Sequence, residues 1–194
     1  MKVTIAAAIS IDGKLTKHDE QGVDSWISDE DQVHFKDQLA EHDAIVFGRT
    51  IYDKSKMRLK LIPDKLRIVL TSTPDKYVTD EVKGQLEFRN EPPAKTVEYL
   101  KSLGKHNLLV TGGTRMLTEF LQANRVDELY LTIEPRIFGD GVKLVAQVPL
   151  DIKLKLIEQT QLNDNGTMLR SFKDLEVTEQ LKLVRQSFPY SPEN

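Results

Sequence analysis

The chain has 194 residues, of which 39% are hydrophobic and 29% are charged, and its formal net charge is -3 at pH 7. That length suits one α/β domain. The slightly acidic balance argues against a nucleic-acid partner, because binding to a phosphate backbone needs a basic excess. The chain contains no cysteine, which excludes disulfides, thiolate nucleophiles and cysteine metal sites and favours a cytoplasmic location. No apolar run is long enough to cross a bilayer, so we expect no membrane segment.

Apolar runs and amphipathic stretches alternate along much of the chain. The apolar runs predict strands over residues 3–9, 44–47, 67–71, 86–89, 108–111 and 129–134. The stretches between them predict helices. One is capped by Ser28, another runs over residues 94–103 and stops at Gly104, and a third follows Gly112-Gly113. This alternation predicts a mainly parallel sheet with helices on both faces, which is a three-layer α/β/α architecture.

The end of the chain has a different pattern. Two further strand-like stretches, residues 152–162 and 167–172, flank an Asn-Asp-Asn-Gly turn and predict a C-terminal antiparallel hairpin. Residues 174–188 are charged and amphipathic, which predicts a closing helix. We therefore expect one domain over residues 1–173, followed by a C-terminal helical extension over residues 174–194.

Three segments that follow predicted strands contain residues suited to phosphate. Ligands of open α/β sheets bind beyond the carboxyl ends of the strands. Residues 48–50 combine a glycine, a helix start and an arginine, and residues 112–114 place two glycines before a helix that could cradle a pyrophosphate. Residues 71–73 offer hydroxyls for ribose or phosphate oxygens. Each segment alone is better explained by turn geometry, but three at equivalent junctions favour a phosphate-bearing ligand.

The other candidate residues narrow the chemistry. Trp26 is the only tryptophan, and it either packs in the core or forms the wall of a heterocycle pocket. The four histidines show no metal-ligand pairing, so no metal site is expected. There is no Gly-x-Ser-x-Gly segment and no thiol, which leaves covalent hydrolase chemistry without a nucleophile. A bound nicotinamide fits better, because that cofactor carries the hydride chemistry itself.

Several of these segments resemble a known family. Residues 43–50 and 110–114 resemble cofactor-binding segments of the dihydrofolate reductase superfamily, and residues 129–132 continue the match. Residues 10–14 and 26–28 are similar to the opening of the riboflavin-biosynthesis reductase, the C-terminal domain of the bifunctional deaminase/reductase. The resemblance implies a dihydrofolate-reductase-like fold, NADPH as hydride donor, and a homodimer in which sheet edges or C-terminal strands meet.

The resemblance also implies roles for individual residues. The cofactor would be lined by Gly48, Arg49, Thr50, Thr71, Ser72, Gly112, Gly113, Thr114 and Met116. The substrate would face Asp12, Trp26 and Ser28, while Arg58 lies in a basic segment that suits a phosphate but is equally typical of a solvated surface. The candidate proton donors or substrate anchors, in order of preference, are Asp12, Asp31 and Glu134. We interpret Asp31 first as the carboxylate of a helix capping box that Ser28 opens.

The single best expectation is an NADPH-dependent reductase of 5-amino-6-(5-phosphoribosylamino)uracil, acting as a stand-alone reductase because no zinc-ligand motif precedes the first strand. Two alternatives stay open. Thr111 stands where the riboflavin reductases usually carry an acidic residue, which is consistent with a non-catalytic nucleotide-binding module. A dihydrofolate or pteridine reductase is the other alternative, although Lys65 stands where that family carries the arginine that clamps the folate carboxylate.

Overall fold

The computed structural model describes residues 1–20 and 25–177, which form one eight-stranded sheet with helices packed on it. The strands are β1 (Lys2–Ser10), β2 (Ala44–Gly48), β3 (Leu66–Leu70), β4 (Leu86–Arg89), β5 (Asn107–Val110), β6 (Glu128–Glu134), β7 (Ile152–Gln161) and β8 (Met168–Val177). The first six agree with the predicted apolar runs to within one residue at each end. The agreement is closest to a buried-strand pattern in β1, β2, β3 and β5, which are mostly buried along their whole length and read as nearly continuous apolar runs.

The strand order across the sheet is β4-β3-β2-β5-β1-β6-β8-β7. Neighbouring strands from β4 to β6 are parallel, whereas β8 is antiparallel to both β6 and β7. The predicted mainly parallel sheet and its C-terminal antiparallel hairpin are both confirmed. The carboxyl ends of β3, β2, β5, β1 and β6 consequently lie side by side along one edge, where open α/β sheets bind ligands.

Helices cover both faces of the sheet. They are α1 (Asp29–Glu41), α2 (Arg49–Ser55), α3 (Pro93–Ser102) and α4 (Thr114–Gln122), with a 3₁₀ helix over Pro74–Asp80. Leu100 of α3 and Phe120 of α4 belong to one core, while Leu39 of α1 and Tyr52 of α2 belong to the other. Successive strand residues point to opposite faces and supply the two cores in turn. None of the described helices is long and apolar enough to span a membrane.

The predicted closing helix is wrong in its first four residues. Strand β8 continues to Val177, where it pairs with Ile152, and Glu176 pairs with Lys153 of β7. Backbone hydrogen bonds to β7 extend the strand through residues whose amphipathic pattern favours a helix, because tertiary pairing overrides local propensity. The rest of the predicted helix, and of the predicted extension over residues 174–194, lies outside the described residues from residue 178 onward.

Candidate active site

A glycine-lined cradle lies where the carboxyl ends of β2 and β5 meet. The Gly48 N–H donates to the Gly112 carbonyl (3.2 Å), and the Thr111 N–H donates to the Val46 carbonyl (3.1 Å). Gly112 has a φ of +111°, a conformation that favours glycine, and the Gly112–Gly113 peptide bond is cis. A β-carbon placed on Gly113 would meet no described atom within 4 Å. The backbone here is therefore open to a ligand.

The cradle faces the start of α4. Gly113 is the N-cap of this helix, and it provides no side-chain capping hydrogen bond to the first N–H groups. These N–H groups and the positive end of the helix dipole suit a pyrophosphate. Thr114 is tied to the adjoining β6–β7 loop, because its hydroxyl donates to the Lys143 carbonyl. Met116 is 6% exposed and lies in the core beneath the cradle, which leaves it at most a supporting contact with a cofactor.

The other predicted cofactor residues lie beside the cradle, because β3, β2 and β5 are neighbours in the sheet. Arg49 and Thr50 open α2 and are exposed, and the Arg49 guanidinium pairs with Asp53 at 3.2 Å. Thr71 is buried just after β3, where its hydroxyl accepts the Thr73 N–H (3.2 Å). Ser72 is exposed. The structure thus brings the three predicted phosphate-binding segments together along one edge.

Two buried carboxyl groups lie on the other side of β1. Asp31 of α1 is 6% exposed and Glu134, at the end of β6, is 3% exposed. Burial is the largest effect on Asp31 and raises its pKa. The hydrogen bond from the Thr132 hydroxyl lowers the pKa, and the nearby Glu134 charge raises it. Glu134 accepts hydrogen bonds from the Ser28 N–H and the Thr167 hydroxyl, each 2.8 Å long. Burial therefore shifts Asp31 toward the protonated form that a proton donor needs.

The capping-box interpretation of Asp31 is only half right. The Ser28 hydroxyl does accept the Asp31 N–H (3.3 Å), as an N-cap should. The reciprocal bond is taken by another residue, because the Ser28 N–H donates to Glu134 rather than to the Asp31 carboxylate. The Asp31 side chain is then free to hydrogen-bond with Thr132 under α1.

The surroundings of Asp12 lower its pKa, whereas those of Asp31 raise it. The Asp12 carboxylate accepts the Ser10 hydroxyl (2.6 Å) and the N–H groups of Phe138 (3.1 Å) and Gly139 (2.8 Å). The pKa of Asp12 is lowered to about 2. The Ser10 hydroxyl is the largest cause, and the Phe138 N–H is the next largest. An ionised carboxylate of this kind anchors the β6–β7 loop to the β1–α1 loop and has no proton to give near neutral pH. Among the three predicted proton donors, the chemistry therefore favours Asp31 over Asp12.

Trp26 and Glu134 line the same cavity. Trp26 is 1% exposed, and its ring packs edge to face against Phe138 with centroids 5.2 Å apart. Its indole Nε1 is buried and has no hydrogen-bond partner among the described residues. Trp26, Ser28 and Glu134 line a cavity of about 520 Å³ together with residues of the β7–β8 turn, including Asn163. The two sequence-based alternatives for Trp26 are thus compatible, since the ring packs in the interior and also borders a cavity.

Arg58 is exposed in the loop after α2 and is not among the described residues that line this cavity. Sequence reasoning missed Thr132, Thr167 and Phe138. Thr132 could have been found, because it lies two positions before Glu134 and so shares its face of β6. Among the described residues no cluster of histidine, aspartate and glutamate is arranged to hold a metal ion.

A second depression, of about 580 Å³, lies at the opposite end of the sheet. It is lined by residues at the amino ends of β1 and β6, where Glu128 pairs with Lys2 (2.6 Å) and Lys173 (2.8 Å). It is larger than the Trp26 cavity, but it lies at the wrong end of the strands for a ligand site of this architecture. We therefore place the functional site at the carboxyl ends.

Comparisons with known proteins agree with this geometry. An uncharacterized protein of Bacillus subtilis, YwjB, is 28% identical over 160 residues, which cover 80% of this chain and 88% of that protein. The deaminase/5-amino-6-(5-phosphoribosylamino)uracil reductase of Thermotoga maritima has a TM-score of 0.66 at 19% identity, covering 89% of this chain and 56% of that one. Dihydrofolate reductase of Enterococcus faecalis, in complex with NADP(H), has a TM-score of 0.62 at 18% identity, covering 89% and 95%.

The two structural likenesses establish a dihydrofolate-reductase-like fold, which the sequence resemblance implied. The family follows from the sequence itself, because the RibD C-terminal domain model matches residues 1–168, most of the described chain. The chain belongs to the RibD C-terminal domain family.

Proposed function

We propose that the chain is an NADPH-dependent reductase of 5-amino-6-(5-phosphoribosylamino)uracil. The observation that carries the proposal is the position of a protonatable carboxyl group relative to the glycine cradle. The cradle lies at the ends of β2 and β5, and Asp31 contacts β6, so that only β1 lies between β5 and β6. Two strand spacings correspond to about 10 Å, which is room for a nicotinamide and a reacting carbon between the cradle and the acid. The Thermotoga protein with this fold carries that reductase activity in its name.

NADPH would supply a hydride from a nicotinamide held between the cradle and Asp31, and this chain supplies the proton. The ring-opened form of the substrate contains a carbon–nitrogen double bond at the first sugar carbon. That carbon receives the hydride and its electron pair, and the nitrogen receives a proton, so NADPH and one proton are consumed for each ribitylamino product. The Asp31 carboxyl is the proposed donor of that proton, because burial raises its pKa and so favours the protonated form. Its proton is then restored from solvent.

Trp26 and Glu134 orient the heterocycle. The Trp26 indole N–H is a buried donor without a partner among the described residues, and an unsatisfied buried donor costs about 1–3 kcal/mol. A pyrimidine carbonyl that accepts this hydrogen bond recovers that cost on binding. Glu134 is fixed on both oxygens by Ser28 and Thr167, so it presents a defined negative edge to amino groups of the ring.

Reduction of dihydrofolate or another pteridine is the second candidate. Asp31 favours it, because this residue lies near the position of the folate-protonating acid of dihydrofolate reductases. Lys65 disfavours it, because its ammonium group donates to the Leu39 and Ala40 carbonyls at the end of α1. Lys65 is therefore poorly suited to bind a folate carboxylate, because its ammonium group is already hydrogen-bonded and cannot form the two parallel bonds of a guanidinium.

The proposed assembly is a cytoplasmic homodimer that pairs through β7. Among the described residues this strand is the edge of the sheet, and a sheet edge readily adds another strand. Three of its apolar side chains are exposed by 40–51%, namely Leu154, Leu156 and Ile157. Burying them against a second copy accounts for apolar residues on an otherwise polar strand.

The function is tested by titrating the protein with NADPH, following nicotinamide fluorescence, and then offering each substrate. We expect saturable NADPH binding, and oxidation of NADPH only with the ribosylaminopyrimidine phosphate. Oxidation with dihydrofolate alone would establish the second candidate. Tight NADPH binding without turnover of either compound would favour the non-catalytic nucleotide-binding module.

Arg49 is expected to set the preference for NADPH over NADH. The Arg49→Met variant should bind NADPH about ten-fold more weakly and NADH unchanged, because a charge-assisted hydrogen bond to the 2′-phosphate is worth about 1.5–3 kcal/mol. Loss of the exposed ion pair with Asp53 should cost at most about 0.5 kcal/mol of folding stability. Equal weakening of both cofactors, measured by fluorescence titration, would contradict this role.

A further inference from the structure

Asn165 is the only asparagine of the chain that a glycine follows. Such a pair favours an internal reaction, because glycine has no side chain to shield its backbone nitrogen from the neighbouring side-chain amide. Aspartate precedes glycine at Asp12 and Asp140, but an ionised carboxylate is a much poorer electrophile than an amide. The sequence therefore singles out Asn165 for attack by the backbone nitrogen of the next residue.

The structure leaves both reacting groups accessible. Asn165 is exposed in the β7–β8 turn, and only its backbone N–H takes part in a hydrogen bond within the described residues. Gly166 has a φ of +91°, and a β-carbon there would meet no described atom within 4 Å. One hydrogen bond restrains the attacking nitrogen, from the Gly166 N–H to the Asn163 carbonyl (3.1 Å). An exposed bond of this kind slows the reaction by about ten-fold at most.

Asn163, two positions earlier in the same turn, is held firmly. Its Nδ2 donates to Glu30 (2.9 Å) and to the Thr167 hydroxyl (3.1 Å). Its Oδ1 accepts the N–H groups of Asn165 (3.1 Å) and Thr167 (3.2 Å). The next residue is Asp164, whose side chain hinders the attacking nitrogen. The fold therefore protects one asparagine of the turn and leaves the other reactive.

We propose that Asn165 is a site of spontaneous deamidation, which places a carboxylate at the edge of the Trp26 cavity. The Gly166 nitrogen bonds to the side-chain carbonyl carbon of Asn165, and the bond from this carbon to the amide nitrogen breaks. Ammonia leaves with the proton of the Gly166 N–H, and a cyclic imide remains. One water molecule then opens either carbonyl of the imide. The products are aspartate, with the original backbone, and isoaspartate, whose backbone is longer by a methylene group.

The new charge would lie where the cavity has little positive charge. Asn165 and Arg136 both line the cavity, and Arg136 is the only cation among the described residues that do so. Glu134 already contributes a carboxylate. A second carboxylate competes with an anionic ligand for Arg136, so a phosphorylated substrate should bind about two- to five-fold more weakly. This consequence rests on the proposed function, whereas the deamidation itself does not.

The isoaspartate product also disturbs the turn. Its added methylene lies between Asn163 and Thr167, which are hydrogen-bonded to one another. The Thr167 hydroxyl in turn donates to Glu134 (2.8 Å). Conversion to isoaspartate should therefore lower the melting temperature of the chain. Asn165→Asp changes the charge but not the backbone, so its melting temperature should stay nearly unchanged.

The site is tested by incubating the full chain at mildly alkaline pH in water that carries a heavy oxygen isotope, followed by trypsin digestion in ordinary water and mass spectrometry. The peptide over residues 156–170 contains both asparagines of the turn. We expect heavy oxygen to enter residue 165, with loss of ammonia, and not residue 163. The rate at residue 165 should lie within about ten-fold of the rate in the urea-unfolded chain. Asn165→Gln is the matched control and should stay unmodified, because its longer amide needs a larger ring.

An unlabelled residue 165 in the folded chain, under conditions in which the unfolded chain reacts, would overturn the proposal. Equal labelling of residues 163 and 165 would overturn the protection assigned to the hydrogen bonds of Asn163. The affinity of Asn165→Asp for the ribosylaminopyrimidine phosphate measures the effect of the charge, and an unchanged affinity would overturn that consequence alone. The mass measurements use neither NADPH nor substrate, so failure of the modification site and failure of the proposed reductase activity remain distinguishable.

Discussion

The Asp31→Asn variant is expected to lose turnover by about 100-fold or more, because a positioned general acid contributes about that much. Its NADPH affinity should equal that of the unaltered chain. Asparagine has the same shape and can still hydrogen-bond with the Thr132 hydroxyl, so the substitution removes the transferable proton and little else. Steady-state kinetics with the ribosylaminopyrimidine phosphate, together with fluorescence titration of NADPH, measure the two quantities separately.

Asp29→Asn is the matched control for this variant. Asp29 is an exposed carboxylate in the same first turn of α1, and its neutralisation should change turnover only slightly. The idea fails if Asp31→Asn retains most of its turnover, or if Asp29→Asn loses as much. Asp12→Asn separates the two predicted donors, because Asp12 holds loops together and its loss should weaken substrate binding more than it slows the chemical step.

The same carboxyl group makes activity and stability depend on pH. Burial raises the pKa of Asp31, so the folded chain keeps a proton that the unfolded chain releases. Turnover should therefore fall as pH rises through the raised pKa. The free energy of unfolding should also fall between the unfolded-state pKa and the raised pKa, because the folded state binds more protons there. Asp31→Asn removes this dependence and should be the more stable protein above that window.

The Gly113→Val variant is expected to fold normally but to show no detectable NADPH binding. Gly113 has ordinary extended backbone angles (φ -75°, ψ -166°), which valine also adopts. A β-carbon there meets no described atom within 4 Å, so the free energy of unfolding should change by no more than about 1 kcal/mol. The side chain would fill the space in front of the α4 N-terminus that the pyrophosphate needs.

Ala123→Val provides the comparison, since Ala123 caps the other end of the same helix. This variant should bind NADPH as the unaltered chain does. Gly113→Ala should give an intermediate loss, because a single methyl group fills less of the cradle. Undiminished NADPH binding by a folded Gly113→Val protein would show that the cofactor does not use the cradle.

Burial on both faces explains why so much of the fold could be predicted. Four of the parallel strands, β1, β2, β3 and β5, are mainly apolar runs, so their positions and the segments that follow them are visible in the sequence. Gly48 and Gly112 lie at or just after the ends of β2 and β5, so these strand ends are visible in the sequence as well. Strand β8 beyond residue 173 could not be predicted, because its polar residues are held by backbone pairing with β7, a long-range contact without a sequence signal.

The roles of the acidic residues depend on partners that are distant in sequence. Asp31 looks like half of a capping box until Glu134, more than 100 residues away, takes the Ser28 N–H. Asp12 looks like a free carboxylate at a turn until the N–H groups of Phe138 and Gly139 hold it ionised.

Hydride transfer from NADPH that carries deuterium at both C4 positions of the nicotinamide tests the central claim most directly. The protein would be incubated with the labelled cofactor and the ribosylaminopyrimidine phosphate, and the product would be analysed by mass spectrometry and NMR. The account predicts one deuterium at the first carbon of the ribityl chain and one NADP⁺ for each product molecule. A product without deuterium, or an unaltered chain that does not bind NADPH, would contradict it.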